Sequence, residues 1–408
     1  VVTGLGVISP LGNDPETLFS KLMGAESGIR LTTADGPRGQ YSVLAAPVEF
    51  DPAAYFSTQQ KIDILDRVSR FALAAAAEAL RDSALTLTDE GGRRAGVSLG
   101  TGMGAANALE ETYVQLLLRD PDRLRPMTVL TAMANAAAGH VAIQHGLAGP
   151  NLTYTCACAS SAVSIGEAFR QIRHGYADVM VAGGAEAPLT FGFVKAWEAL
   201  RVLAPADHDN PSASCKPFSK NRTGLVLGEG AAMVVLEERE AAARRGARIY
   251  GELAGYGSSN DPGHITKPSV AGQTHAMTLA LDDAGLKPGD VDYVNAHGTG
   301  TALNDVTETR AIRQVFGDRA YRIPVSSTKS MHAHLLGAAG AMEFVIAVLA
   351  MHRRAVPPTA HLEVADPECD LDYVAGKGRC DQDIGCVMSN SFAFGGTNAV
   401  LIARQAAR

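Results

Sequence analysis

Cys158 lies in Asn151-Leu-Thr-Tyr-Thr-Cys156-Ala-Cys158-Ala-Ser-Ser-Ala-Val-Ser-Ile-Gly166, where a short apolar run passes into a stretch of helical period through small residues. A cysteine on such a strand-to-helix turn sits at the positive end of a helix dipole, which favours thiolate, and its small neighbours let a thioester approach. The segment reads either as a nucleophile or as a packed thiol, because free cysteine is among the most buried residue types. Cys156 reads as packed. A Cys-x-Cys metal pair has no second Cys or His pair at ligand spacing nearby.

Two histidines occupy glycine-rich turns. His297 follows an apolar run and opens His297-Gly-Thr299-Gly-Thr301, whose glycines let backbone approach a ligand closely. His334 stands in Ser326-Ser-Thr-Lys329-Ser-Met-His332-Ala-His334-Leu-Leu-Gly-Ala-Ala-Gly340, with Lys329 supplying a fixed positive charge. His332 and His334 find no carboxylate or thiolate at metal-ligand spacing, so His334 reads as a hydrogen-bond donor and His332 as incidental. Downstream, Phe394 precedes Gly395-Gly396 in Asn390-Ser-Phe-Ala-Phe394-Gly-Gly-Thr-Asn398. A bulky ring beside two glycines suits a gate and a backbone N–H oxyanion donor.

These turns need rigid elements on either side. Apolar, β-branched runs alternate with alanine-rich helical stretches, the pattern of an α/β protein with mainly parallel strands. Strands are expected at 1–9, 96–100, 152–155, 178–183, 232–237, 291–296 and 385–389, and helices at 15–23, 64–82, 132–145, 159–174, 272–284, 304–316 and 335–352. There is one internal echo. Helix 64–82 leads to a strand ending in Gly100-Thr-Gly102, and helix 272–284 to one ending in His297-Gly-Thr-Gly300. Two related halves are expected, 1–250 carrying Cys158 and 251–408 carrying both histidines and the Phe394 loop. The stretch 258–273 reads as a polar loop between them.

Composition bounds the function. In 408 residues, 46% are apolar and 19% charged, which excludes disorder and coiled coil. A net charge of -7 gives no global positive field for nucleic acid. Six scattered cysteines are no disulfide framework and indicate a reducing compartment. No uncharged apolar run reaches the roughly 18 to 20 residues of a membrane span, since 338–351 is broken by Glu343, and the start lacks a basic n-region. A cytoplasmic location is expected.

Taken together, these segments resemble the β-ketoacyl synthases, elongating condensing enzymes of fatty acid and polyketide synthesis in the thiolase-like superfamily. The resemblance runs along essentially the whole chain, from Val-Val-Thr-Gly-Leu-Gly-Val through Ala-Cys158-Ala-Ser, Gly228-Glu229-Gly230, Asn295-Ala-His297-Gly-Thr-Gly-Thr301 and Lys329–His334 to Phe394-Gly-Gly-Thr-Asn398. Several such motifs in order are far more specific than any one. The resemblance implies a layered αβαβα thiolase-like body, an acyl-accepting Cys158, and His297 and His334 assisting decarboxylation of a malonyl unit. It also implies an oxyanion hole from the N–H groups of Cys158 and Phe394, with Phe394 and Gly395-Gly396 as gate. Thr299 and Thr301 become pantetheine contacts, and Lys329, Asp305 and Glu308 a supporting charge network. Met103 and Phe193 become walls of the acyl tunnel, and Leu225 a substrate contact near the pocket entrance. No metal or redox cofactor is implied, since substrates ride on the phosphopantetheine of an acyl carrier protein. A homodimer, or a heterodimer with a chain-length-factor-like subunit, is the implied assembly.

The chain also departs from that pattern. Arg222-Thr-Gly-Leu225 stands where relatives commonly read Arg-Asp-Gly-Phe, and His332-Ala333 replaces the usual Thr-Gly before the histidine. With Met103, these departures point to a specialised polyketide or polyene synthase. Three rivals remain on the sequence: a non-catalytic or chain-length-controlling partner subunit, which would lack the nucleophile; a thiolase-type acyl-CoA acyltransferase, which would want a second cysteine where Phe394 stands; and a decarboxylase with Gln in place of Cys158. Arg67, Arg70 and Arg201 are candidate carrier-protein contacts.

Overall fold

The computed structural model describes residues 1–36, 39–56, 58, 63–87 and 89–406. In chain order the strands are β1 (Val2–Ile8), β2 (Arg30–Gly36), β3 (Gly39–Ala46), β4 (Ala95–Gly100), β5 (Asn151–Tyr154), β6 (Val179–Glu186), β7 (Leu227–Gly228), β8 (Gly230–Glu237), β9 (Glu252–Asn260), β10 (Tyr293–Asn295), β11 (Val325–Ser326), β12 (Cys386–Phe392) and β13 (Thr397–Arg404). The helices that matter here are α1 (Pro15–Met23), α2 (Arg67–Ser83), α3 (Ala106–Leu118), α4 (Thr128–Ala132), α5 (Ala136–His145), α6 (Ser160–Arg173), α7 (Phe191–Leu200), α8 (Val270–Ala284), α9 (Ala302–Phe316) and α10 (Ala339–Arg353).

Local chemistry sets the helix starts. Asp14 accepts from Thr17 N at 2.8 Å ahead of Pro15, and Asp66 accepts from Val68 N at 2.9 Å ahead of α2. β6 and β8 are near-continuous small and apolar runs, buried along their full length, as strands sandwiched between helical layers must be.

The two large sheets have one design used twice. Their orders are β1-β8-β6-β4-β5 and β9-β13-β12-β10-β11. In each, the first three strands pair antiparallel with one another and the remaining two pairings are parallel. Helices α6 and α10 lie between the sheets, α2 and α5 cover the outer face of the first, and α8 and α9 that of the second. The result is a layered αβαβα body. Its central layer is an apolar cluster running from Val7 through Ile165 to Phe344 and Leu401. Helix α10 is apolar on nearly all sides, as befits a helix with no solvent face. The stretch Leu336–Arg353 has the length and composition to cross a membrane, and 89% of it is buried inside this protein layer.

The repeat extends to the turns that open the central helices. Ala157–Ala159 precedes α6 and Leu336–Ala338 precedes α10, and both begin on a left-handed residue, Ala157 at φ 47° and Leu336 at φ 46°. Cys158 and Gly337 therefore occupy matching places. A β-carbon on Gly337 would fall 2.6 Å from Glu186 Oε2, so only one of the two turns has room for a side chain.

Several elements differ from the sequence expectation. The expected loop 258–273 is partly strand, because β9 runs to Asn260, and α8 starts at Val270. Gly255 and Gly257 weaken the apolar signal of β9, yet they let α8 close onto it: a β-carbon on either would meet the Ala280 or Ala276 carbonyl of that helix. β2, β3, β7, β9, β13, α3, α4 and α7 were not expected. The paired strands β2 and β3, with β7, form a small third sheet beside the site.

Candidate active site

Cys158 sits in the turn Ala157–Ala159, at the N-terminal end of α6. Cys156 N–H donates to Ser160 Oγ at 2.8 Å, and the Ser160 hydroxyl donates to Ala157 O at 2.6 Å, which holds the strained turn. Around the sulfur is an apolar cluster containing Val43, Val194, Trp197, Leu225 and Leu336, with Met103 and Phe394 packed at its edge.

The hydrogen bonds assign both imidazoles. His334 Nε2 is 3.1 Å from Cys158 Sγ, while Leu336 N–H donates to His334 Nδ1 at 3.2 Å. Nδ1 therefore carries the lone pair and Nε2 the proton, which points at the sulfur. His297 lies edge-on to His334, with ring centroids 5.4 Å apart. Lys329 Nζ donates to His297 O at 2.6 Å, contacts His297 Nδ1 at 3.3 Å, and pairs with Glu343. An ammonium has no lone pair, so His297 Nδ1 is also an acceptor and its Nε2 carries the proton. Burial first, and then the Lys329 charge, hold both imidazoles well below the ordinary histidine value. Both are neutral Nε2–H donors.

Buried carboxylates shape the loops. Glu308 accepts from His297 N and Gly298 N, each at 2.8 Å, and Asp305 accepts from Phe218 N at 2.8 Å, Thr299 N at 3.1 Å and Gly300 N at 3.2 Å. The single charge network expected of Lys329, Asp305 and Glu308 is thus divided. Asp305 and Glu308 clamp the 297–300 backbone, and the partner of Lys329 is Glu343, which sequence reasoning noticed only as a break in an apolar run. A lone carboxylate inside an otherwise apolar helix was the available signal, since a buried charge needs a partner. Glu186 was also missed. At the end of β6 it accepts from Gly102 N at 2.6 Å, Met103 N at 3.0 Å and Gly337 N at 2.9 Å, and burial lifts it to about 7.

The thiol corrects one expectation. A helix N-terminus was expected to leave Cys158 ionised, but burial pushes it up to about 12, against the opposing pull of Lys329 and of the Phe394 N–H that donates to the sulfur. At rest the sulfur is a neutral thiol receiving hydrogen bonds.

A cavity of about 320 Å³ opens onto this group, lined by Cys158, both histidines, Thr299, Thr301 and Leu225, and by Phe394 and Gly396 of the β12–β13 turn. Phe394 stacks on Trp197 with centroids 6.1 Å apart, and Gly395 N–H donates to Ile265 O at 2.7 Å. Gly395 and Gly396 have φ of 89° and 90°, which the tip of the β12–β13 hairpin requires. Phe193 does not reach the cavity walls or the cluster around Cys158; Val194, Trp197 and Leu200 are the α7 side chains that do. Arg201 is at the cavity mouth. Arg67, by contrast, is engaged with Glu229 at 2.6 Å, and Arg70 with Leu65 O at 3.0 Å.

The ligand atoms of Cys158, His297 and His334 lie within 4.8 Å of one another, close enough to grip a metal ion. Both hydrogen-bond-fixed tautomers present N–H rather than a lone pair there, which suits an anion. Alkylation of Cys158 by iodoacetamide, read by peptide mass because the exposed Cys380 reacts as well, should quicken about tenfold per pH unit from about pH 6.5 to about pH 9. It should be slower throughout in His334→Ala. A plateau below about pH 8 contradicts a neutral resting thiol.

Residues 1–242 match the family model "Beta-ketoacyl synthase, N-terminal domain" and residues 250–363 match "Beta-ketoacyl synthase, C-terminal domain". The chain is 45% identical to Nodulation protein E of Rhizobium leguminosarum bv. trifolii, over 99% of this chain and 98% of that protein. It is 43% identical to 3-oxoacyl-[acyl-carrier-protein] synthase 2 of Coxiella burnetii, over 98% and 97%. The solved ishigamide ketosynthase/chain length factor superposes with a TM-score of 0.91 at 34% identity, covering 100% of this chain and 99% of that one. With Cys158 and two histidine donors converging in one cavity on a twice-used fold, the chain belongs to the β-ketoacyl synthase family.

Proposed function

We propose that the protein joins an acyl group held on Cys158 to a malonyl unit carried by an acyl carrier protein, releasing carbon dioxide and leaving a β-ketoacyl thioester two carbons longer. The observation that carries this is the convergence of Cys158 Sγ with two neutral Nε2–H donors. In the first half-reaction the thiol attacks the acyl thioester, the N–H groups of Phe394 and Cys158 receive the oxyanion, and the carrier thiol departs with the proton. No net proton is consumed, so a neutral resting thiol is adequate. In the second, the bond to the malonyl carboxylate breaks and its electron pair moves onto the thioester oxygen, held by His297 and His334. The carbanion then attacks the Cys158 thioester, the sulfur leaves as thiolate, and it takes one proton from solvent water to restore the thiol. Phosphopantetheine on the carrier is the only prosthetic group this chemistry needs, and Thr299 and Thr301, at the cavity wall, are its contacts.

Met103 and Leu225 flank the sulfur in the apolar cluster, where the acyl chain would lie. Leu225 replaces a commonly aromatic side chain and leaves room beside Cys158, which supports a specialised polyketide or polyene substrate. At the cavity mouth, Arg201 and Lys267 stand among the exposed Leu200, Ile265 and Leu303, a mixed apolar and cationic rim suited to an acidic carrier protein. A second surface supports pairing with another subunit of this fold, either a copy or a chain-length-factor-like protein. The edge strand β5 is exposed, and so is Ile143, at 81%, on the helix α5 packed against it. Six free cysteines favour the reducing cytoplasm.

Intact-mass measurement after incubation with acyl carrier protein thioesters should show one acyl group on the wild type and none on Cys158→Ala. Polyunsaturated primers should load faster than long saturated ones; the reverse preference would sink the specialised reading. Loss of one enolate donor, in His297→Ala or His334→Ala, should lower condensation on the order of 100-fold or more. Acylation should survive in His297→Ala and fall in His334→Ala, whose donor also serves the sulfur. Arg201→Glu with Lys267→Glu should raise KM for the carrier protein about tenfold or more at low salt with kcat nearly unchanged; an unchanged KM removes that rim as the docking site.

A further inference from the structure

Ala333 has φ 63° and ψ −169°, a combination that glycine adopts freely and a β-carbon opposes. It is fully buried, packed with Ile29, Ala46, Cys215 and Val226. Its peptide leads directly into His334, whose own backbone is fixed by N–H to Val226 O at 2.8 Å and by Gly228 N–H to its carbonyl at 2.9 Å. The Ala333 carbonyl is held by the preceding ring. His332 Nδ1 lies 2.7 Å from Ala333 O, and His332 Nε2 lies 2.9 Å from Thr328 Oγ1. A carbonyl only accepts, so Nδ1 carries the proton and Nε2 accepts from the Thr328 hydroxyl. The ring is neutral, buried and satisfied at both nitrogens, and burial pushes it down to about 3. It does not line the cavity.

We propose that His332 is a positioning residue: its Nδ1–H holds the Ala333 carbonyl in a glycine-type conformation that alanine does not keep unaided, and this peptide aims His334 Nε2 at Cys158. His332 and Ala333 form one device, and the histidine matters because the next residue is not glycine. The inference rests on the reading of His334 as a donor to sulfur and enolate given above.

Four variants separate this role from plain packing: His332→Leu, His332→Asn, Ala333→Gly and His332→Leu with Ala333→Gly. Each is measured for melting temperature, for kcat and KM of malonyl-carrier decarboxylation, and for the rate of Cys158 alkylation. His332→Leu should lower kcat about tenfold or more with KM within about twofold, and should slow alkylation. His332→Asn, whose amide N–H takes the place of Nδ1, should stay within about threefold of wild type. In the Ala333→Gly background, His332→Leu should be nearly silent. Wild-type activity in His332→Leu, or an equally deep loss with Ala333→Gly present, overturns the proposal. If His332→Leu alone does not fold, the double variant is compared with Ala333→Gly, and a large difference between them overturns it as well. A wild type that fails to decarboxylate sinks the condensing reading, while the alkylation arm still decides the role of His332.

Discussion

A buried ammonium with its donors directed at fixed partners is the constraint on which the site depends. Lys329 has no solvent exposure, and it faces His297 O, His297 Nδ1 and Glu343. Leaving such a charge unpaired in the interior costs several kcal/mol, so the pair and its hydrogen bonds form together or not at all. Because Lys329 occupies the lone pair of His297 Nδ1, the only proton on that ring points into the cavity. The Leu336 N–H does the same for His334. Two donors are thereby aimed at the place where negative charge develops in the proposed reaction, with no reorganisation needed.

The duplicated fold explains why these parts meet. Central helices α6 and α10 begin at matching turns, and the site forms where the two turns face one another. Each half contributes what the other lacks: the first turn carries Cys158 while its mate carries Gly337, and the second half supplies both imidazoles. Glu186 spans the junction, accepting from Gly102 and Met103 of the first half and Gly337 of the second. The sulfur, the Gly102–Met103 turn and the histidine-bearing segment are therefore mechanically connected. A change at Glu186 or Gly337 would be felt at Cys158 without touching substrate.

Much of this was legible in the sequence, for identifiable reasons. Cys158 stood out because only small residues surround it at a strand-to-helix transition, and His297 because a glycine-rich loop follows an apolar strand. The doubled topology showed as an echo between 64–102 and 272–300. What stayed hidden were contacts made at long range. Glu343 pairs with a residue 14 positions away across a helix start, and nothing local names that partner. β9 was obscured by glycines whose purpose is to admit α8. The protonation state of Cys158 was misjudged because a sequence shows the helix dipole but not the depth of burial that outweighs it. His332 was set aside as incidental, since the backbone angle it supports at Ala333 has no signature in residue type alone.

The central claim is that His297 and His334 are both neutral, with the proton on Nε2, throughout the working range. Nitrogen-15 NMR of histidine-labelled protein, assigned with His297→Ala and His334→Ala and followed from about pH 5.5 to about pH 8, tests it directly. Both residues should show a protonated Nε2 and a bare Nδ1 that do not titrate. A ring that takes up a second proton near the ordinary histidine value, or one that carries its proton on Nδ1, would contradict the account.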